Sequence, residues 1–142
     1  MFGSGFTSNV SDSGIFLGSS GVIPPFTTTT IPAASTYYAI PYLNGIISGT
    51  ANFPIPKIGV LYGLSLRLNA PQPLGGSLIF RVVLDSSINA ISITVPGGDA
   101  TGTYFNNTDS YLIINKGIMR FEFQNNAPAV SPCPVGFGVF IK

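Results

Sequence analysis

Glycine and proline leave little room in this chain for a helix. Seventeen Gly and 12 Pro are spread over 142 residues. With Ser, Thr and Asn they interrupt the sequence about every 8–12 residues. A Gly in a helix interior costs about 1 kcal/mol and a Pro about 3. The stretches between the breaks are rich in Ile, Val, Phe and Tyr, which fit a pleated surface. The rhythm predicts an all-β chain.

Alternation then predicts the strands. Residues 37–43 read as a first or edge strand with Pro41 at its limit. In 58–68, Leu64, Leu66 and Leu68 share one face, and Ser65, Arg67 and Asn69 the other. In 77–85, Leu78, Phe80, Val82 and Leu84 oppose Ile79, Arg81, Val83 and Asp85. Residues 88–95 set Ile91, Ile93 and Val95 against Ser92 and Thr94. Residues 100–109 read as a polar connection or weak strand. Residues 110–115 and 118–124 read as a hairpin about Lys116-Gly117, with Met119, Phe121 and Phe123 inward and Arg120, Glu122 and Gln124 outward. Residues 125–134 form a Pro-rich loop, and 135–141 close the chain. About eight strands in about 105 residues suit an antiparallel jelly-roll β-sandwich of two four-stranded sheets.

Charge is the other constraint. The chain carries six Lys or Arg and five Asp or Glu, a net +1. A typical chain of this length would carry roughly 35 charges. No basic cluster exists, so nucleic-acid binding has no electrostatic basis. No run of about 18 apolar residues exists, so no membrane helix is expected. Met1–Phe6 lacks the charge and apolar core of a signal peptide, and we expect the chain to begin where it is translated.

One charge, Asp12, falls in residues 1–56, and the other ten fall in 57–142. Residues 1–36 are rich in Gly, Ser and Thr, with apolar residues set singly or in pairs. They read either as a flexible tail or as an extended arm lying on a partner. Phe and Ile are unusual in a solvated tail, so we expect an arm over 1–36 and the folded domain over 37–142. Phe2, Phe6, Ile15, Phe16, Leu17 and Phe26 are its expected partner-binding residues.

Chemistry has little material. With no His, His-based triads are excluded, and with one Cys, Cys133, so is a His/Cys zinc site. Asp85, Asp99, Asp109 and Glu122 are scattered, and Asp99 and Asp109 read as turn residues. Lys57 and Lys116 read as solvated charges. No catalytic residue, metal site or cofactor is expected, and the chain is not expected to be an enzyme. Arg67, Arg81 with Asp85, and Arg120 with Glu122 are placed for polar contacts between strands or between subunits.

Residues 58–142 resemble small trimeric jelly-roll modules of the complement-C1q and tumour-necrosis-factor-like kind, found on phage virions and bacterial spore surfaces. The resemblance rests on Gly59-Val60-Leu61-Tyr62-Gly63-Leu64-Ser65-Leu66-Arg67-Leu68, on Leu78-Ile79-Phe80-Arg81-Val82-Val83-Leu84, on Ala90–Val95, and on Gly136-Phe137-Gly138-Val139-Phe140-Ile141. The Asn-Gly expected after the second strand is replaced by Asp85-Ser86-Ser87, and the Gly-Asp before the penultimate strand by Lys116-Gly117. The resemblance implies a homotrimer assembled through apolar sheet faces. That would account for Ile79 and Val83 behind Phe80 and Val82. The function expected is a capsid decoration (cement) protein of a bacteriophage. It would sit at the virion surface and bind the major capsid protein or other virion proteins. The alternatives are a receptor- or glycan-binding fibre tip, with Tyr37, Tyr38, Tyr42, Tyr62, Tyr104 and Tyr111 available to stack on sugars, and a spore-surface structural protein.

Overall fold

Period-2 alternation gives every strand one apolar side, and two sheets bury those sides against each other. A computed structural model describes residues 14–20, 30–41, 48–99, 101–132 and 134–142, and no helix occurs among them. The strands are β1 (Ile15–Ser20), β2 (Thr30–Ile31), β3 (Ser35–Ala39), β4 (Phe53–Pro54), β5 (Gly59–Leu68), β6 (Leu78–Leu84), β7 (Ile88–Val95), β8 (Gly102–Ile113), β9 (Ile118–Asn125), β10 (Ser131–Pro132) and β11 (Pro134–Ile141). One sheet has the order β1-β11-β5-β8; the other has β3-β9-β6-β7, with β4 also on β9. β2 and β10 form a short bridge. All these pairings are antiparallel.

The predicted inward residues of β5, β6, β7 and β9 are buried. Phe80 stacks on Phe123 at 4.6 Å with the planes 2° apart. Phe137, from the opposite sheet, meets Phe80, Phe121 and Phe123 edge-on at 6.0, 5.4 and 5.3 Å. Edge-to-face pairs add about 0.5–1.5 kcal/mol each beyond burial. These rings knit the two sheets at the centre.

The predicted hairpin over 110–124 does not form. Residues 102–113 make one strand that pairs with β5, while β9 pairs with β6 and β3. The connection crosses between sheets because its atoms are engaged elsewhere. Gly117 O accepts from Ile55 N at 2.9 Å, Ile118 O from Asp85 N at 2.8 Å, and Ile118 N donates to Asp85 Oδ1 at 3.2 Å. A Cβ at Gly117 would overlap the Asp85 carboxylate.

The weak strand expected at 100–109 is the first part of β8, and its middle is bulged. Tyr62 pairs with Ser110 but Leu64 with Asn106, so Asn107, Thr108 and Asp109 face the single residue Gly63. Gly63 sits at φ +64°, where an L side chain is strained. The slip also moves the buried positions of β5 from Leu61 to Leu64.

Two pieces of the expected arm belong to the sandwich. β1 pairs with β11 from Ile15↔Ile141 to Ser20↔Gly136, and Leu17 and Ile31 are core residues. β3 starts at Ser35 and ends at Ala39, so pairing runs across the expected boundary at 36/37. Phe2, Phe6 and Phe26 lie outside the described residues, as do Tyr42 and Cys133.

The Pro-rich loop hides a polar cluster that alternation could not reveal. Gln72, Asn125 and Ser131 are buried together. Ser131 Oγ donates to Gln72 Oε1 at 2.6 Å, and Gln72 Nε2 donates to Asn125 Oδ1 at 3.3 Å. Asn125 Nδ2 donates to the carbonyls of Ile31, Pro32 and Ala129. The cluster ties β2, β9 and two loops together and leaves no buried side-chain polar atom unpaired among the described residues.

Candidate functional site

The two outward faces of the sandwich are chemically different. On the β3-β9-β6-β7 sheet, register sets Tyr38, Glu122 and Arg81 side by side. Arg120 Nε donates to Glu122 Oε2 at 2.6 Å and Arg81 Nη1 to Glu122 Oε1 at 3.3 Å. Arg81 Nη2 also donates to Gln124 Oε1 at 3.0 Å, and Arg120 Nη2 to Ser86 O at 3.3 Å. The Arg120 guanidinium lies 5.9 Å from the centre of the Tyr38 ring, within cation–π range. Glu122 keeps only 7 % of its surface.

Of the predicted polar contacts, Arg120 with Glu122 forms. Arg81 pairs with Glu122, not with Asp85, which lies in the β6–β7 turn and holds the Ile118 backbone. Arg67 lies on the other sheet and donates to Thr103 Oγ1 at 3.0 Å. Ile79 and Val83 do lie behind Phe80 and Val82, but Val83 is already buried and Ile79 half-buried beside the charges. They add no open apolar surface at the centre of this sheet, where among the described residues the exposed apolar side chains are Ile88 and Ile118 near one end.

The open apolar face is on the β1-β11-β5-β8 sheet. Val60 pairs with Leu112, and Ile58 and Ile114 flank the Gly59–Ile113 pair. Tyr62 stacks on Phe140 at 5.6 Å, and Phe140 meets Phe16 at 5.2 Å. Leu112 is 61 % exposed, Ile114 68 % and Ile58 51 %. The Phe16 ring lies over Gly138, where a Cβ would overlap it. Lys142 borders the patch, with its backbone paired to Val60 in both directions at 2.9 and 3.0 Å. Of the expected arm residues, Phe16 is on this face and Leu17 is spent in the chain's own core.

Other candidates stay apart. Asp109 Oδ2 accepts from Asn106 Nδ2, and Asp99 N donates to Pro96 O in a turn. Desolvation, and then the charge of Asp99, push the Tyr104 phenol above the ordinary tyrosine range. Among the described residues no group of three His, Cys, Asp or Glu could hold a metal, and no helix is long and apolar enough to cross a membrane. Tyr37, Tyr104 and Tyr111 pack on the core, while Tyr62 and Tyr38 belong to opposite outer faces. No protein-family model, curated protein or solved structure matches this chain.

Proposed function

We propose that this chain is a structural, non-enzymatic assembly protein. It is a jelly-roll module that trimerises through the outer face of the β1-β11-β5-β8 sheet and decorates the surface of a phage capsid. The carrying observation is the open face of Ile58, Val60, Leu112 and Ile114, continued by Tyr62, Phe140 and Phe16. Ile58, Leu112 and Ile114 are each more than half exposed and adjoin one another, which makes this a contiguous patch and not a scatter of single apolar residues. The centre of the other outer face is covered by its own ion pairs, so among the described residues the β1-β11-β5-β8 sheet offers the larger apolar surface for association. The order β1-β11-β5-β8 against β3-β9-β6-β7 supports the jelly-roll reading, because strands distant in sequence lie side by side in each sheet.

The test is the mass of the purified chain in solution. A trimer of about 44 kDa is expected, three times 14.8 kDa. Leu112→Glu should give a folded monomer, because a carboxylate would be buried without a partner. A wild-type monomer at about 100 μM, far above the Kd of an ordinary stable interface, would reject the trimer. Shell binding is tested separately by co-sedimentation with undecorated capsids, comparing the whole chain with one lacking residues 1–13. That cut spares β1, whereas removal of 1–36 would strip β1 and β2 from the sandwich.

A further inference from the structure

The β8 bulge forms one wall of a cavity of about 310 Å³ between the edge strands β7 and β8. Edge strands of two sheets ordinarily leave unpaired backbone at such a gap. Here one side chain fixes its shape. Asn106 Nδ2 donates to Ser92 O and to Asp109 Oδ2, both at 2.8 Å. Its Oδ1 accepts from Asp109 N at 3.0 Å and from Thr108 N and Oγ1 at 3.3 Å. The Asn106 amide is thus fully used, and the wall is held before any ligand arrives, which lowers the ordering cost of binding.

The remaining lining is neutral and mixed. Ser92, Thr94 and Asn107 offer two hydroxyls and a carboxamide, while Tyr104, Phe105 and Ile93 supply apolar surface. Ser92, Thr94 and Asn107 have exposed side chains that spend no donor or acceptor within the described residues. No Lys or Arg lines the cavity, so a phosphate, sulfate or carboxylate ligand would find no counter-charge there. Nor is the lining apolar enough for an acyl chain. Paired donor-acceptor groups beside an aromatic ring suit a ligand with many hydroxyls on a C–H framework. The volume lies at the small end of ligand sites.

We propose that this cavity binds a neutral saccharide, one sugar ring deep. The ring's hydroxyls would meet Asn107, Ser92 and Thr94, and its C–H face the aromatic wall at Tyr104 and Phe105. This site is independent of the trimer face, and neither proposal requires the other.

The experiment uses the full chain, isotope-labelled, titrated with glucose, galactose, mannose and N-acetylglucosamine. Amide shifts in residues 92–94 and 104–108 with at least one of these sugars are expected, saturating in the millimolar range usual for so few contacts. Asn107→Ala and Thr94→Val should each weaken that binding at least about fivefold while leaving the remaining spectrum unchanged, since both residues are exposed. An anionic control, glucose 6-phosphate, should bind no better than glucose. Absence of shifts with all four neutral sugars at 50 mM, or equal binding by both variants, would overturn the proposal, as would preference for the phosphate.

Discussion

The two outer faces of this sandwich handle a shortage of charge in opposite ways. On the β3-β9-β6-β7 sheet, Arg81, Arg120 and Glu122 converge and cover the sheet with side chains that satisfy one another. On the β1-β11-β5-β8 sheet, Val60, Leu112 and the two flanking isoleucines stand open, and the Phe16 ring sits against Gly138. The first face satisfies its charges within one chain, and the second leaves its apolar side chains exposed. With ten charges over residues 57–142, gathering three on one face leaves few to make the other soluble. The low charge count thus becomes a difference between faces.

The largest expected effect comes from breaking the charged face. Glu122→Ala would leave two mostly buried guanidinium groups without their shared acceptor. Removing one partner of a buried ion pair costs about 3–5 kcal/mol, and the residual exposure of these side chains, 10–18 %, places this case near 3. The shift in a urea unfolding midpoint at fixed slope measures it. A loss under about 1 kcal/mol would mean the cluster behaves as an ordinary surface pair. Replacing all three residues by Leu or Met should restore most of the stability, because the cost lies in the orphaned charges.

How much of this could be read in advance depends on the range of the signal. β7 matches its expected span because Ile91, Ile93 and Val95 alternate with Ser92 and Thr94 without interruption. Glu122 was legible as an outward charge, but its partner Arg81 lies 41 residues away, and alternation says nothing about which strands become neighbours. The same ignorance produced the hairpin over 110–124. Both of its strands exist, but each pairs elsewhere. In 111–114 the residues Tyr, Leu, Ile and Ile are all apolar, so the pattern cannot tell which pair faces water. That choice, Leu112 and Ile114 outward, creates the candidate interface. The Gln72–Asn125–Ser131 cluster had no local signal at all, since Gln72 sits between two prolines in a loop.

A middle-sized effect tests how the open face is built. β1 can lie against β11 because Gly138 leaves room for the Phe16 ring, and Gly18 for the neighbouring backbone. Gly138→Val should push Phe16 off the sheet and loosen β1 at its edge. Overpacking of this kind costs typically 1–3 kcal/mol, and about 2 is expected here. Faster hydrogen exchange confined to residues 15–20 and 136–141 would localise it. Exchange that quickens equally at β6 and β7 would mean β1 is not a separable edge.

The smallest effect compares how the two sheets make their tightest backbone conformations. On the open sheet, Gly63 takes the positive φ of the β5 slip. In the β6–β7 hairpin no glycine does this work. Asp85 and Ser86 sit at φ +50° and +67°, and Ser87 N donates to Leu84 O at 3.2 Å, the arrangement of a type I′ turn. Asp85 has a reason to be there, since its carboxylate holds Ile118 N and its own N–H donates to Ile118 O. Ser86 has none of that support. Its side chain makes no hydrogen bond among the described residues, and only its carbonyl is used, by Arg120. An L residue in the left-handed region costs about 1–2 kcal/mol, while glycine there gives back part of the gain through a freer unfolded chain. Ser86→Gly should therefore stabilise the fold by about 0.5–1 kcal/mol, read as a small rise in the unfolding midpoint. Asp85→Gly should do the reverse, because relief of strain there is outweighed by losing the carboxylate that fixes the β8–β9 crossing. If both glycine variants stabilise, the turn is merely strained. If only Ser86→Gly does, the strain at Asp85 is retained because its carboxylate anchors the start of β9 beside the β6–β7 turn, where the chain arrives from the other sheet.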